Sequence, residues 1–250
     1  MNLELNGKVA VVTGGGSGVG REIAGLLCSE GAMVAVVDII GEKAEETVKM
    51  LVGRGGKTQA YQADVIDSDS VDRLAGNVLE QLGSIDILFN NAGYGMFKSF
   101  KDSTREDWMA DINVNLIGTL NCTRAFINVM IEKRYGRIIN IISDAGRVGE
   151  PFMTTYSAAK AAVAGFSKAL AKEVGQSGIT VNCVALGTTK TPLMAPFLTP
   201  EIERKMIKNY PLGRLGLPHE PARMAVFLSS EAASWITGQV IAVNGGYSMI

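Results

Sequence analysis

Three side chains have types and spacing suited to work on an alcohol or a carbonyl: Ser143, Tyr156 and Lys160. Tyr156 and Lys160 stand four apart, which on a helix puts them on one face, a turn from each other. Ser143 lies 13 residues before Tyr156, close enough for a loop to return both to one crevice. A free phenol titrates at about 10, too high for a good base at neutral pH. A neighbouring ammonium favours the phenolate, so Lys160 is expected to lower that value. Tyr156 can then take a proton from an alcohol or give one to a forming alkoxide, work worth about 10²–10⁴-fold. Ser143 can hydrogen-bond the oxygen on which charge develops. The chain has a single histidine, His219, in Leu217-Pro218-His219-Glu220-Pro221. One histidine excludes zinc sites that need two. His219 is expected at a helix start, away from these groups, so the acid–base role falls to the phenol.

A second constellation points to a dinucleotide. Thr13-Gly14-Gly15-Gly16-Ser17-Gly18-Val19-Gly20 joins an apolar strand to a helical pattern. Glycines there permit close backbone approach, and the helix N-terminus adds free N–H groups for a pyrophosphate. The spacing is TGxxxGxG; the GxGxxG fingerprint is absent. Asp38 closes the second strand, 18 residues after Gly20. A carboxylate there can accept hydrogen bonds from ribose hydroxyls and repel a 2′-phosphate. No Arg or Lys stands at 15–17 or 39–40. NAD(H) is therefore expected over NADP(H), and no metal site is expected.

The elements that must carry these residues are legible as an alternation. Apolar, β-branched runs at Lys8–Thr13, Met33–Asp38, Lys57–Asp64, Ile85–Asn90, Gly136–Ser143, Ile179–Val184 and Gln239–Val243 read as seven strands. Helical patterns cover Gly18–Glu30, Glu42–Arg54, Asp69–Leu82, one long stretch Arg105–Arg134, and Thr155–Gly175. Strands apolar on both faces, with helices between them, predict a single α/β domain. Its sheet is a doubly wound, mostly parallel, seven-stranded Rossmann-type sheet with helices on both faces. Ligands bind such sheets beyond the carboxyl ends of the strands, where the motifs fall.

Composition agrees. A chain of 250 residues, 47% hydrophobic and 20% charged, is globular, and its net charge of −1 carries no footprint for nucleic acid or an anionic membrane. Three scattered cysteines make no disulfide framework. The start shows no basic region followed by an apolar stretch, and no apolar run reaches the length of a membrane span. A cytoplasmic location is the expectation.

Taken together, the chain resembles the short-chain dehydrogenase/reductases of about 250 residues. The resemblance runs from Thr13–Gly20 through Asp64-Val65, Asn90-Asn91-Ala92-Gly93, Asn115, Ser143, Tyr156, Lys160, Val181-Asn182 and Arg214-Leu215-Gly216 to Asn244-Gly245-Gly246. It implies a catalytic set of Asn115, Ser143, Tyr156 and Lys160, with Asn115 anchoring a water that links Lys160 to solvent. It also implies that Gly14, Ser17, Gly18, Val19, Gly20, Asp38, Ile39 and Gly187 bind the cofactor. Asp64 and Val65 would meet adenine, Asn91, Ala92 and Gly93 the ribose, Thr189 the carboxamide and Thr191 the phosphates. Tyr156 and Lys160 would also contact the cofactor. One departure stands out: relatives usually have Pro-Gly after the sixth strand, where this chain has Leu186-Gly187. That substitution frees φ, restores an N–H and puts the nicotinamide loop in question.

The main functional reading is an NAD(H)-dependent oxidoreductase interconverting a secondary alcohol and a ketone. The alternative is a 3-oxoacyl-ACP or -CoA reductase, or a hydroxyacyl-CoA dehydrogenase, acting on a thioester. A non-catalytic NAD-binding regulator is disfavoured, because Ser143, Tyr156 and Lys160 are all present. A sugar-nucleotide epimerase would need a larger substrate domain. Residues around 188–212 read as an apolar, Pro-broken substrate lid. Tyr94, Met96, Phe152 and Met153 are placed in loops facing the same crevice. Arg147 is read either as a guide for an anionic substrate or as a solvated loop residue. In relatives, the helices near 105–134 and 155–175 pair across a two-fold axis, so a homotetramer is expected; Ala158, Ala159, Ala161 and Ala162 permit close approach but are also good helix formers.

Overall fold

The computed structural model describes residues 2–250. Alternation of side chains along each strand decides how the layers assemble. Ala10 and Val12 of β1 (Val9–Thr13), Val34 and Val36 of β2 (Met33–Asp38), Ile87 and Phe89 of β4 (Ile87–Asn90) and Ile139 and Ile141 of β5 (Gly136–Ser143) point to one face. There they meet Ile23 and Leu27 of α1 (Gly18–Ser29), Leu51 of α2 (Gly41–Val52) and Ala225 of α9 (His219–Leu228). The intervening Val11, Val37, Leu88 and Ile138 point to the other face. That face is covered by Leu74 of α3 (Ser68–Leu82), Phe126 of α5 (Gly118–Lys133) and Val174 of α7 (Thr154–Val174). Two cores on one sheet explain why the strands are apolar on both sides.

The sheet also includes β3 (Lys57–Gln62), β6 (Ile179–Leu186) and β7 (Val240–Val243). Its order is β3-β2-β1-β4-β5-β6-β7, and every pairing is parallel. The chain works outward from β1 to β3, then returns to lay β4 against the other side of β1. The crevice therefore opens between the carboxyl ends of β1 and β4, at the topological switch. Asn91 closes it from below: its Nδ2 donates to Thr13 O at 2.9 Å, and its N–H donates to Thr13 Oγ1 at 3.0 Å.

Besides strand ends, with β3 stopping at Gln62 and not Asp64 and β4 starting at Ile87 and not Ile85, two differences from expectation bear on the site. The stretch read as one helix, 105–134, is α4 (Arg105–Ile112), a π-helical turn over Asn113–Ile117, and α5. Side chains replace regular ladder bonds there: Asn115 Nδ2 donates to Asp111 O at 2.8 Å, and Thr119 Oγ1 donates to Asn115 O at 2.9 Å. Such insertions widen a helix, and Asn115 sits at the centre of this one. The run Arg105–Lys133 is, by length and a hydropathy of 1.2, apolar enough to cross a membrane. In this fold it packs against α3, α7 and β4, with 39% of its most apolar stretch buried. The second difference is β6, which continues two residues past the expected Val184. Leu186, standing where Pro is usual, keeps register with Ser143 of β5 and Val243 of β7, and accepts a hydrogen bond from Asp144 N at 2.9 Å.

Candidate active site

A single continuous cavity of about 970 Å³ runs along the carboxyl edge of the sheet. It gathers seventeen of the nineteen residues expected in the site, all but Gly20 and Asn115. Gly20 lies behind the loop: a Cβ there would meet Gly14 O at 2.2 Å and Asn91 Nδ2 at 2.5 Å. It lets α1 close against the glycine loop and does not itself face the cavity. Asn115 is fully buried, its Nδ2 donating to Tyr94 O at 2.7 Å and its Oδ1 accepting from Tyr94 N at 3.3 Å. A Cβ on Gly93 would be 3.3 Å from Asn115 Oδ1 and 3.6 Å from Lys160 Nζ, so the two side chains converge on that glycine.

One end of the cavity is built for a phosphate-linked, ribose-bearing group. Ser17, the N-cap of α1, makes no side-chain cap bond, which leaves the first-turn amides for an outside acceptor. Asp38 is held in place by its own acceptors: Oδ2 takes Gly16 N–H at 3.0 Å and Oδ1 takes Ile40 N–H at 3.1 Å. A methyl group at Gly16 would come within 2.6 Å of Asp38 Oδ2 and 2.7 Å of Lys43 Cβ, so glycine is required for this approach. Lys43 also lines the cavity beside Asp38. Sequence reading missed it because it lies beyond 39–40, on the first turn of α2. Leu186, Gly187, Thr189 and Thr191 form the opposite wall, with Thr189 Oγ1 donating to Gly187 O at 3.0 Å. The uncapped helix, the glycine cradle and the anchored Asp38 carboxylate fit a nicotinamide dinucleotide.

Ser143, Tyr156 and Lys160 meet at the middle of the cavity. β5 ends at Ser143, and the first turn of α7 carries Tyr156 with Lys160 one turn on. Lys160, 5% exposed, donates from Nζ to Ile141 O at 2.9 Å and lies 5.7 Å from the centre of the Tyr156 ring. Burial pulls its ammonium down to about 8. Burial also pushes the Tyr156 phenol up to about 12; the Ser143 hydroxyl pulls in the opposite direction, and the Asp111 carboxylate adds to the rise. The lowering expected from Lys160 is thus not found in the protein alone. The physical reason is desolvation, the largest effect on both groups, which penalises the charged form of each. Asp111, missed in the sequence, accepts from Thr155 Oγ1 at 2.6 Å and ties α4 to the start of α7.

The far end is apolar and aromatic. Tyr94, Met96 and Met153 line it as expected, whereas Phe152 does not: with φ +65° it turns outward and is 61% exposed. The 188–212 segment contributes Met194, Phe197 and Asn209, and Phe197 packs on Phe97 with ring centres 5.3 Å apart. Tyr210, within the expected 188–212 segment, completes the wall with Tyr247 and Glu150, which had no local signal in the sequence. Both readings of Arg147 are corrected. Its side chain is largely buried, paired with Asp144 at 2.7 Å, and donates to Ser248 Oγ at 3.0 Å and Ile250 O at 2.7 Å. It locks the tail to the loop after Ser143 and faces neither substrate nor bulk water. His219 begins α9 and is absent from the cavity wall. Among the described residues, no three His, Cys, Asp or Glu side chains cluster as metal ligands.

Comparison with known proteins agrees with this arrangement. Residues 14–248 match a family model described as enoyl-(acyl carrier protein) reductase. The chain is 40% identical to the 3-oxoacyl-[acyl-carrier-protein] reductase FabG of Thermotoga maritima over 98% of this chain and 99% of the relative. It is 40% identical to FabG of Vibrio harveyi over the full length of both. It is also 39% identical to the (2S)-[(R)-hydroxy(phenyl)methyl]succinyl-CoA dehydrogenase subunit BbsD of Thauera aromatica, over 98% of each. These full-length similarities favour the thioester alternative over an unspecified secondary alcohol. With its parallel sheet and its Ser143, Tyr156 and Lys160 at the switch-point crevice, the chain belongs to the short-chain dehydrogenase/reductase family of oxidoreductases acting on CH–OH and keto groups.

Proposed function

We propose that this protein interconverts 3-oxoacyl and 3-hydroxyacyl thioesters with NAD(H). The observation that carries the reading is the position of Ser143, Tyr156 and Lys160 between the ribose-facing end of the cavity and its apolar end. The names of the full-length relatives support a thioester substrate. Asp38, anchored by two backbone amides, supports NAD(H), since a 2′-phosphate would meet its charge.

The dinucleotide would be held by the glycine loop, Asp38, Asp64, Val65 and the Asn91–Gly93 turn, and would supply or accept the hydride at the β-carbon. The protein's own residues handle the oxygen. For reduction, Tyr156 stays protonated throughout the neutral range and donates its proton to the forming alkoxide. Ser143 hydrogen-bonds the same oxygen. Lys160 fixes the phenol's surroundings from Ile141 O and supplies positive charge when protonated. Residues 188–212 close over the substrate as a lid.

The assembly proposed is a homotetramer. Ala158, Ala161, Ala162 and Gly165 form an exposed small-residue face on α7, and Trp235, 99% exposed, stands just before the edge strand β7.

The test is reduction of acetoacetyl-CoA, followed by loss of reduced-cofactor absorbance. NADH is expected to exceed NADPH in kcat/KM by at least about tenfold, given a like-charge penalty of more than about 1.4 kcal/mol. Tyr156→Phe should lose at least about 100-fold in kcat while still binding NADH. Equal use of both cofactors would refute the NAD(H) assignment; an active Tyr156→Phe enzyme would refute the role of the phenol.

A further inference from the structure

Away from Asp38 and Asp64, the acidic residues lining the cavity are Asp144, which is paired with Arg147, and Glu150. Glu150 lines the cavity, and its Oε2 accepts a hydrogen bond from Tyr247 Oη at 2.7 Å. Tyr247 stacks on Tyr210, ring centres 5.1 Å apart, and Tyr210 Oη is itself fixed by Thr188 N–H at 2.8 Å. The loop bearing Glu150 is equally constrained. Glu150 N–H donates to Ser157 Oγ at 3.2 Å, Met153 N–H donates to Glu150 O at 3.1 Å, and the left-handed Phe152 is held by Lys98 N–H on its carbonyl at 2.8 Å. A non-glycine residue at positive φ is kept only where its surroundings demand it. The carboxylate is therefore a fixed feature of the wall.

Nothing basic offsets it. Among the described residues lining the cavity, the cations are Lys43, beside Asp38 at the ribose end, and Lys160, bonded to Ile141 O. The nearest candidate in the sequence, Arg147, is committed to Asp144 and the tail. The rest of the apolar end is methionine and aromatic: Met96, Met153, Met194, Met206, Phe97 and Phe197. Methionines adapt to apolar chains of varied shape.

From this we infer that Glu150 is a specificity-determining residue: the enzyme takes 3-oxoacyl or 3-hydroxyacyl thioesters with an uncharged acyl chain and rejects those whose chain carries a carboxylate. The inference deepens the thioester reading and rests on it. It also separates this chain from the Thauera relative, which is named for a succinyl thioester, the half-thioester of a dicarboxylic acid. Two carboxylates brought close together in a confined pocket repel unless a cation intervenes.

The experiment compares 3-oxohexanoyl-CoA with 3-oxoadipyl-CoA, which has the same six-carbon chain ending in a carboxylate. Both are reduced with NADH by the full-length enzyme. The expected result is a kcat/KM ratio of roughly 100-fold or more in favour of the neutral chain, the scale of a several-kcal/mol like-charge penalty. Glu150→Gln keeps an acceptor for Tyr247 and removes the charge, so the ratio should fall below about tenfold. Tyr247→Phe, which leaves the charge and removes its partner, should retain the discrimination. Comparable turnover of both thioesters by the unaltered enzyme would overturn the inference and leave the thioester reading standing. Discrimination that survives Glu150→Gln unchanged would overturn the role of Glu150. If neither thioester is reduced, the thioester reading fails and the inference falls with it.

Discussion

Burial sets Lys160 against its own charge, and stability should show it. The folded protein holds this ammonium at about 8, against 10.5 for the free group. Between those values the unfolded chain binds the extra proton, so the stability contributed by this group grows as pH rises from about 8 to 10.5 and is lost as pH falls through 8. At pH 7 the folded state bears the full cost of burying the charge, on the order of 3 kcal/mol. Lys160→Met should therefore abolish turnover yet raise Tm at pH 7 by roughly 5–10 °C. Thermal unfolding of both proteins should show the gap closing as pH approaches 10.5; a variant less stable than its parent at pH 7 would refute the assignment. The same desolvation raises Tyr156, so it favours the protonated phenol needed for reduction. In the protein alone, burial and not the neighbouring ammonium sets the direction of this shift.

At the scale of elements, the site depends on polar ties hidden between apolar layers. Asn90 of β4 donates to Asn140 Oδ1 of β5 at 2.8 Å, Asn140 Nδ2 donates to Ser167 Oγ of α7 at 2.8 Å, and Cys183 Sγ of β6 reaches the same hydroxyl at 3.1 Å. The network joins the strand that ends at the ribose turn, the strand that ends at Ser143, and the helix that carries Tyr156 and Lys160. Ser167→Ala would strand the Asn140 donor in a buried site, at a cost of about 1–3 kcal/mol. Urea unfolding should show a lower midpoint with an unchanged slope. Strands and main helices were legible because their apolar periodicity has one reading. The π-helical turn at Asn113–Ile117 was not, because it arises from side-chain bonds of Asn115 and Thr119 that leave the apolar pattern intact.

For the whole molecule, the proposed tetramer would use the exposed small-residue face of α7 and the edge at Trp235 and β7. Sedimentation at micromolar concentration should give four times the 26.5 kDa chain mass. Ala162→Arg should reduce that mass, since a long charged side chain prevents helices from approaching closely. A monomer in the unaltered protein would refute the assembly.

By itself, the sequence determined the layered α/β architecture and the reaction-bearing trio. Strand and helix periodicity is local, and Ser143, Tyr156 and Lys160 sit at spacings that local geometry already brings together. Asp38 was legible for the same reason, as the last residue of an apolar strand. The tertiary structure alone decided the rest: that Gly20 packs behind the glycine loop, that Arg147 clamps the tail, that Lys43 stands beside Asp38, and that Glu150 meets Tyr247 across 97 residues. These depend on contacts between segments distant in the chain, and on the desolvation that follows when they close, neither of which has a local trace in the order of the residues.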